Sequence, residues 1–170
     1  VGTSNHHTFK LLNNWPKWDK NFLNISGEEH CGKSHIVDIF LKKFSGVKID
    51  AKMLNEDKLE KASKYQNIIL EDLDSNINEK LLYTLINIVD QNNKFLITTS
   101  LRPITKIIFK LEDLHSRTKN FLLTKIDNPD DELMFALILK NLSDRQITLD
   151  KKLIEFIIKR VERSYSKIYE

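Results

Sequence analysis

The chain has 170 residues, 41% of them apolar and 30% charged, with a formal net charge of +3 and a sequence pI near 8.8. That is enough for one good core, so one domain, or a domain with a small appendage, is expected, and neither a run of roughly 20 apolar residues that could span a membrane nor a signal peptide is present. The mildly basic balance permits nucleic-acid contact without demanding it, and the single cysteine, Cys31, excludes an internal disulfide and fits a reducing, cytoplasmic setting.

The chain begins at Val1 rather than at a methionine, so native residues are expected to precede it. His6 and His7 form a pair without an evident third ligand nearby and read as native, structural residues. Asn21-Phe22-Leu23-Asn24-Ile25-Ser26 reads as a short strand ending at a glycine. Gly27-Glu28-Glu29-His30-Cys31-Gly32-Lys33-Ser34 then meets the G-x-x-x-x-G-K-[ST] phosphate-loop pattern, and residues 35 to 44 carry the apolar spacing of a helix. Strand, glycine loop and helix form the context that gives the pattern chemical meaning. A loop opening a helix aims consecutive backbone N–H groups and the positive end of the helix dipole at one point, which suits a polyphosphate. Gly27 to His35 are therefore the candidate nucleotide-binding residues. Lys33 would reach the β- and γ-phosphates, and Ser34 would offer its hydroxyl to Mg2+. Cys31 inside this loop is either activated by the helix N-terminus or a small residue filling a tight turn, and the second reading is preferred.

A weak strand near Val47 to Ile49 leads to a polar helix from about Glu56 to Tyr65. Asn67-Ile68-Ile69-Leu70-Glu71-Asp72 is short enough for a buried strand and ends in two carboxylates. Asn78 to Gln91 is helical, with Leu81, Leu82, Leu85, Ile88 and Val89 on one face. Further strands are expected over Lys94 to Thr99 and Asn120 to Thr124. Strands alternating with helices argue for an α/β fold, a parallel sheet flanked by helices. After Lys125 only helices remain. Asn128-Pro129-Asp130-Asp131-Glu132 is a helix start with a cap, proline at the first position and acids in the first turn, running to Leu142. A second start at Asp150 leads through Leu153, Ile154, Ile157, Ile158 and Val161. Residues 1–125 are read as a nucleotide-binding α/β base and 126–170 as a partial helical lid packed on its edge.

Glu71 and Asp72 are the second piece of chemistry. Two acids can simply end a buried strand at the surface. Downstream of a phosphate loop, however, a carboxylate at the tip of a neighbouring strand holds magnesium or its water, and the next acid orients the attacking water. Glu71 falls in the metal position and Asp72 in the catalytic one.

Gly32-Lys33-Ser34-His35, Trp15-Pro16-Lys17-Trp18 and Val1-Gly2-Thr3-Ser4-Asn5 together resemble the AAA+ region of the bacterial replication initiator DnaA, and more closely the short DnaA-related inactivators of the Hda type, alphaproteobacterial forms in particular. Leu114-His115-Ser116-Arg117 is similar to the family's L-x-S-R segment, and 127–133 to the start of its lid. Asp144-Arg145-Gln146 and Arg160-Val161-Glu162-Arg163-Ser164 resemble Hda-type lid helices. The resemblance implies a P-loop NTPase of the AAA+ type. It implies further that Arg117 is an arginine finger acting in trans, that Arg163 is the sensor-2 arginine, that Thr99 or Ser100 is sensor 1, and that residues 1 to 5 border the adenine. ADP or ATP with Mg2+ is the implied ligand.

Three departures from the family pattern stand out. Glu28 and His30 occupy loop places where the family has proline and glycine, so His30 lacks the freedom at positive φ that glycine offers. Glu71 replaces the commoner aspartate. With Glu170 as the last residue, the initiator's DNA-binding domain is not expected, and no clamp-binding peptide is visible near Val1, where it would have to precede the sequence if present. A nucleotide held as a structural or regulatory ligand, with weak hydrolysis at most, fits these departures. The leading expectation is an Hda-like regulator that promotes hydrolysis of DnaA-bound ATP. DnaA is then the partner, the polymerase sliding clamp a further one, DNA contact is indirect or weak, self-association is open, and no membrane is involved. The alternatives are a DNA-binding ATPase such as a helicase loader, for which Lys42, Lys43, Lys151, Lys152, Lys159 and Arg160 supply positive charge, and a degenerate assembly module that binds no nucleotide.

Overall fold

The computed structural model describes residues 5–127 and 131–160. Five strands, β1 (Phe22–Ser26), β2 (Val47–Asp50), β3 (Asn67–Leu73), β4 (Phe95–Ser100) and β5 (Leu122–Lys125), form one sheet in the order β2-β3-β4-β1-β5. Every pairing is parallel. The helices are α1 (His6–Asn13), α2 (Lys33–Lys43), α3 (Glu56–Ser63), α4 (Glu79–Gln91), α5 (Glu112–Thr118), α6 (Asp131–Asp144) and α7 (Lys151–Ile158). The expected parallel α/β architecture is the one observed, with each strand boundary within about two residues of its sequence reading. Helices α1 and α5 were not anticipated. Both are short and polar enough to give little periodic signal.

Burial on both faces explains why these strands read as nearly continuous apolar runs. Ile68, Leu70 and Leu96 pack with Leu82, Leu85 and Val89 of α4 and Leu114 of α5. Leu23, Ile25, Ile69 and Ile97 on the opposite face pack with Leu12 of α1 and Ile36, Val37 and Phe40 of α2. Helices α6 and α7 gather around their own cluster of Met134, Ile138, Ile154 and Ile158. Asp150 caps α7 as expected, its Oδ1 accepting from the Lys152 amide at 3.2 Å, while Asn128 to Asp130 lie outside the described residues. No described helix is long and apolar enough to cross a membrane.

The connections from β1 and β4 leave toward opposite faces of the sheet. The chain after β1 enters α2 on one side and the chain after β4 enters α5 on the other, although the two strands are neighbours. Such a switch point opens a crevice at the carboxyl ends of the strands. The buried Asn24 at its base ties β1 to β4. Its Nδ2 donates to Thr98 Oγ1 and Ser100 Oγ, both at 2.9 Å, and its Oδ1 accepts from the Ile104 amide at 2.9 Å. Replacing Asn24 with alanine strands that buried amide, and a loss of about 2–4 kcal/mol in urea unfolding is expected. An unchanged midpoint would show that this network adds nothing to the core.

Candidate functional site

The loop between β1 and α2 sits at that switch point. Its base is stitched to both neighbouring strands, the Gly27 amide donating to Ser100 O at 3.1 Å and the Ile126 amide to Ser26 O at 2.8 Å. Gly27 admits no side chain: a Cβ there would lie 2.6 Å from both Cys31 Sγ and the Ile126 carbonyl oxygen. Gly32 takes φ 99°, a left-handed turn natural to glycine, and α2 starts immediately after it. Asn55, Asn78 and Asp150 cap their helices with side-chain oxygens. α2 has no side-chain cap, so the first-turn N–H groups of Lys33, Ser34 and His35 face the loop without an intrahelical acceptor. Ser34 and His35 are exposed there, as are Glu28, Glu29 and His30 on the loop.

Lys33 is buried, and its ammonium folds back on the loop, donating to Gly27 O at 2.8 Å and Glu28 O at 2.6 Å. Cys31 lies beneath it, fully buried, its Sγ 3.9 Å from Lys33 Nζ. Burial pushes this thiol above its ordinary range and outweighs the lowering effect of the Lys33 charge. It therefore stays a thiol near neutral pH and fills the turn, the role preferred from sequence. His30 differs from expectation. It adopts φ 58° although it has a Cβ, so the loop keeps the shape a glycine would favour at a local strain of about 1 kcal/mol.

Glu71 and Asp72 form a β-bulge just before the last residue of β3, Leu73. The register passes from Leu70↔Thr98 to Leu73↔Ser100, three steps on β3 against two on β4, and Asp72 takes φ 54°. The extra residue splits the two acids: Asp72 is exposed, while Glu71 keeps a side chain that is only 15% exposed. Glu71 Oε1 is buried with no hydrogen-bond partner, and Oε2 lies 3.4 Å from Lys48 Nζ. That lysine also binds Asp38 of α2 at 2.6 Å. The Asp38 hydrogen bond is the main reason the Lys48 ammonium is held above the usual lysine range, with the Glu71 charge adding to it.

Sequence left sensor 1 open between Thr99 and Ser100, and the two hydroxyls have different surroundings. Ser100 Oγ accepts from Asn24 and donates to Arg102 O at 2.6 Å. Thr99 Oγ1 accepts the Asp72 amide at 3.0 Å, linking β4 to the bulged acid strand. Arg117 belongs to neither group. It lies near the end of α5, half-buried, 3.4 Å from Asp90 Oδ2 at the end of α4 and with its guanidinium 5.5 Å from the Tyr83 ring centroid. The chain passes directly from these helix ends into β4 and β5, so Arg117 sits by the amino ends of the strands, opposite the phosphate loop. Arg163 and Val1 to Ser4 lie outside the described residues. His7 is anchored to Thr124 Oγ1 at 3.2 Å beside a 2.8 Å Thr8–Thr124 hydroxyl pair, in keeping with its structural reading.

Lys48 and Asp38 were not singled out from sequence. The available signal was alternation: Lys48 is the polar residue between Val47 and Ile49, which places it on the α2 face of β2, and Asp38 is one helical turn beyond Ser34.

No family model and no curated protein matches this chain. Solved structures do. AMPPCP-bound DnaA from Aquifex aeolicus superposes with a TM-score of 0.80 at 17% identity, covering 99% of this chain and 60% of that one. Domain III of the Thermotoga maritima replication initiation protein DnaA gives 0.77 at 19% identity, covering 99% and 81%. The fold is that of an AAA+ P-loop NTPase. The Thermotoga maritima RuvB Holliday junction branch migration motor gives 0.72 at 15% identity over 99% of this chain and 60% of its own, so this AAA+ frame is shared by proteins with different tasks. The present chain spans about three fifths of the length of the Aquifex DnaA and RuvB chains.

The strained loop residue gives a direct test of this geometry. His30→Gly removes the Cβ at positive φ but also frees the unfolded backbone, so a small net rise in Tm, about 1–2 °C, is expected. A Tm lowered by several degrees, the cost of glycine at an ordinary φ, would mean that the loop does not hold this residue in the left-handed region.

Proposed function

We propose that this AAA+ chain is an adenine-nucleotide-binding regulator of DNA replication initiation that acts on DnaA in the cytoplasm. The observation that carries the reading is the uncapped start of α2 behind Gly32, with Lys33 folded over the loop and an unpartnered carboxylate oxygen of Glu71 at the end of β3. The AMPPCP named with the Aquifex DnaA supports adenine nucleotide as the ligand class.

The donor set fits a magnesium nucleotide. Among the described residues no group of three or more His, Cys, Asp or Glu side chains could hold a metal on its own, and the Ser34 hydroxyl with Glu71 Oε1 would hold an ion that brings phosphate oxygens as its other ligands. When bound, the ion supplies positive charge against those oxygens. Lys33 exchanges two backbone carbonyls for phosphate oxygens. Thr99 keeps the Asp72 amide fixed, and Asp72, carried outward by the bulge, orients a water. Glu28 and Glu29 add negative charge to the loop, which favours a diphosphate held as a regulatory ligand over rapid turnover of a triphosphate. Helices α6 and α7 would then belong to a partial lid spanning 126–170, with Arg163 as its sensor arginine on the family resemblance alone.

Arg117 would serve a neighbour and not its own nucleotide, a reading supported by the strands of about 20 Å that separate it from the loop. As a finger in trans it would neutralise charge on the nucleotide of DnaA, an effect worth on the order of 10³ to 10⁵ in hydrolysis rate where such fingers operate. Its pairing with Asp90 opposes that role. The pair is long and the Asp90 side chain is 59% exposed, so an ion pair of this kind holds it by no more than about 1 kcal/mol.

Two measurements test the reading. Calorimetric titration with ADP and Mg2+ should show binding that Lys33→Met weakens at least about a hundredfold, each phosphate contact of a charged donor being worth about 1.5–3 kcal/mol. Absence of binding by the unaltered chain would leave only the assembly-module alternative. In a DnaA hydrolysis assay Arg117→Ala should abolish stimulation, and Asp90→Asn, which frees the guanidinium, should increase it. Full stimulation by Arg117→Ala would refute the finger.

A further inference from the structure

Lys48 has no place in the nucleotide chemistry described above, yet it makes the one ion pair recorded for the metal-position acid among the described residues. It projects from β2, where Lys48 pairs in register with Ile69 and Asp50 with Glu71. Its contacts are unequal: 2.6 Å to Asp38 Oδ1 on α2 and 3.4 Å to Glu71 Oε2 on β3. A lysine that positioned Glu71 would hold it at short range. This one is anchored on Asp38 and leans toward Glu71, leaving Oε1 buried without a donor. An ammonium tethered in that way offsets the charge of a carboxylate whose side chain is only 15% exposed, and it can keep its short bond to Asp38 when another cation takes the carboxylate.

We propose that Lys48 is a built-in counter-cation for Glu71 which competes with divalent metal, so that removing its charge tightens metal binding at Glu71. The inference rests on the reading of Glu71 as the metal-position acid. It carries a consequence for regulation: the Asp38–Lys48–Glu71 chain connects α2, β2 and β3, so the ammonium stabilises the metal-free arrangement and makes nucleotide binding less dependent on Mg2+ than two adjacent acids would suggest. Like charges at this separation repel strongly in a partly buried site, which sets the sign of the effect.

The experiment follows manganese(II) by electron paramagnetic resonance in the presence of saturating ADP, which supplies the phosphate oxygens, and then measures ADP affinity with and without Mg2+ by calorimetry. Lys48→Met should bind manganese at least about tenfold more tightly than the unaltered chain, equivalent to about 1.4 kcal/mol, and should show a larger Mg2+ effect on ADP binding. Lys48→Arg, which retains the charge, should behave like the unaltered chain. Asp38→Asn leaves the ammonium to Glu71 alone and should weaken manganese binding, a change of opposite sign that does not depend on how well Lys48→Met folds. Adding Glu71→Gln to Lys48→Met should erase the gain. Equal or weaker manganese binding in Lys48→Met, undetectable binding included, overturns the proposal, as does a gain that survives Glu71→Gln. Absence of ADP uptake by the unaltered chain would refute the nucleotide reading itself, whereas ADP uptake without a manganese gain in Lys48→Met would refute the role of Lys48 alone.

Discussion

The missing side chain at Gly27 is the constraint on which the site depends. With the Ile126 carbonyl oxygen and Cys31 Sγ each 2.6 Å from where a Cβ would stand, any other residue would push the loop away from the mouth of the sheet. Because the loop can stay close, its amide reaches Ser100 on one neighbouring strand while Ser26 at its foot accepts from Ile126 beyond the other. The start of α2 is thereby fixed relative to β4 and β5. Backbone donors do the work of a binding site only when their directions are set in advance, and here the sheet sets them.

Around that cradle the chain departs from local preference at adjacent places. His30 and Asp72 both sit at positive φ without being glycine, one on the phosphate loop and the other in the bulge that separates the two acids. α2 lacks the side-chain cap that α3, α4 and α7 have. Glu71 keeps a buried oxygen without a donor. Each is a small local cost of a kind also met singly elsewhere, as in the positive φ of Asn93 and Gln146 or the uncapped starts of α1 and α5, but four of them meet at the carboxyl ends of β1 and β3. Such clustering of strain and unmet hydrogen-bond capacity is what a ligand site requires and what a purely structural loop would tend to eliminate.

Arg117 belongs to a different surface. It sits by the opposite ends of the strands, with Asp90 and the Tyr83 ring for company. A single subunit with this AAA+ fold therefore presents its β1–α2 loop and Arg117 at opposite poles. Any mechanism that uses both needs a second subunit, and the strength of the Arg117–Asp90 contact becomes part of the coupling between them. The likeness to DnaA and to RuvB at under 20% identity supports the frame and leaves the partner to the residues on these two surfaces.

The architecture was legible in the sequence because its signals are local. A buried strand must be a short apolar run, the phosphate loop needs glycine at fixed places, and helix starts such as Asp150 announce themselves by capping. Helix α5 was missed because a single apolar residue, Leu114, among six polar ones shows no period, and α1 because its apolar face is only two turns long. Other features required the tertiary structure, since they depend on which strands become neighbours. The bulge that splits Glu71 from Asp72 exists only relative to β4. The different surroundings of Thr99 and Ser100 arise from Asn24 on another strand, and Lys48 meets Asp38 and Glu71 only once β2 has crossed to the far side of β3. Spacing along the chain determined what the phosphate loop is made of. Pairing between strands decided where its charges stand, because a carboxylate's neighbours are set by sheet register and not by sequence distance.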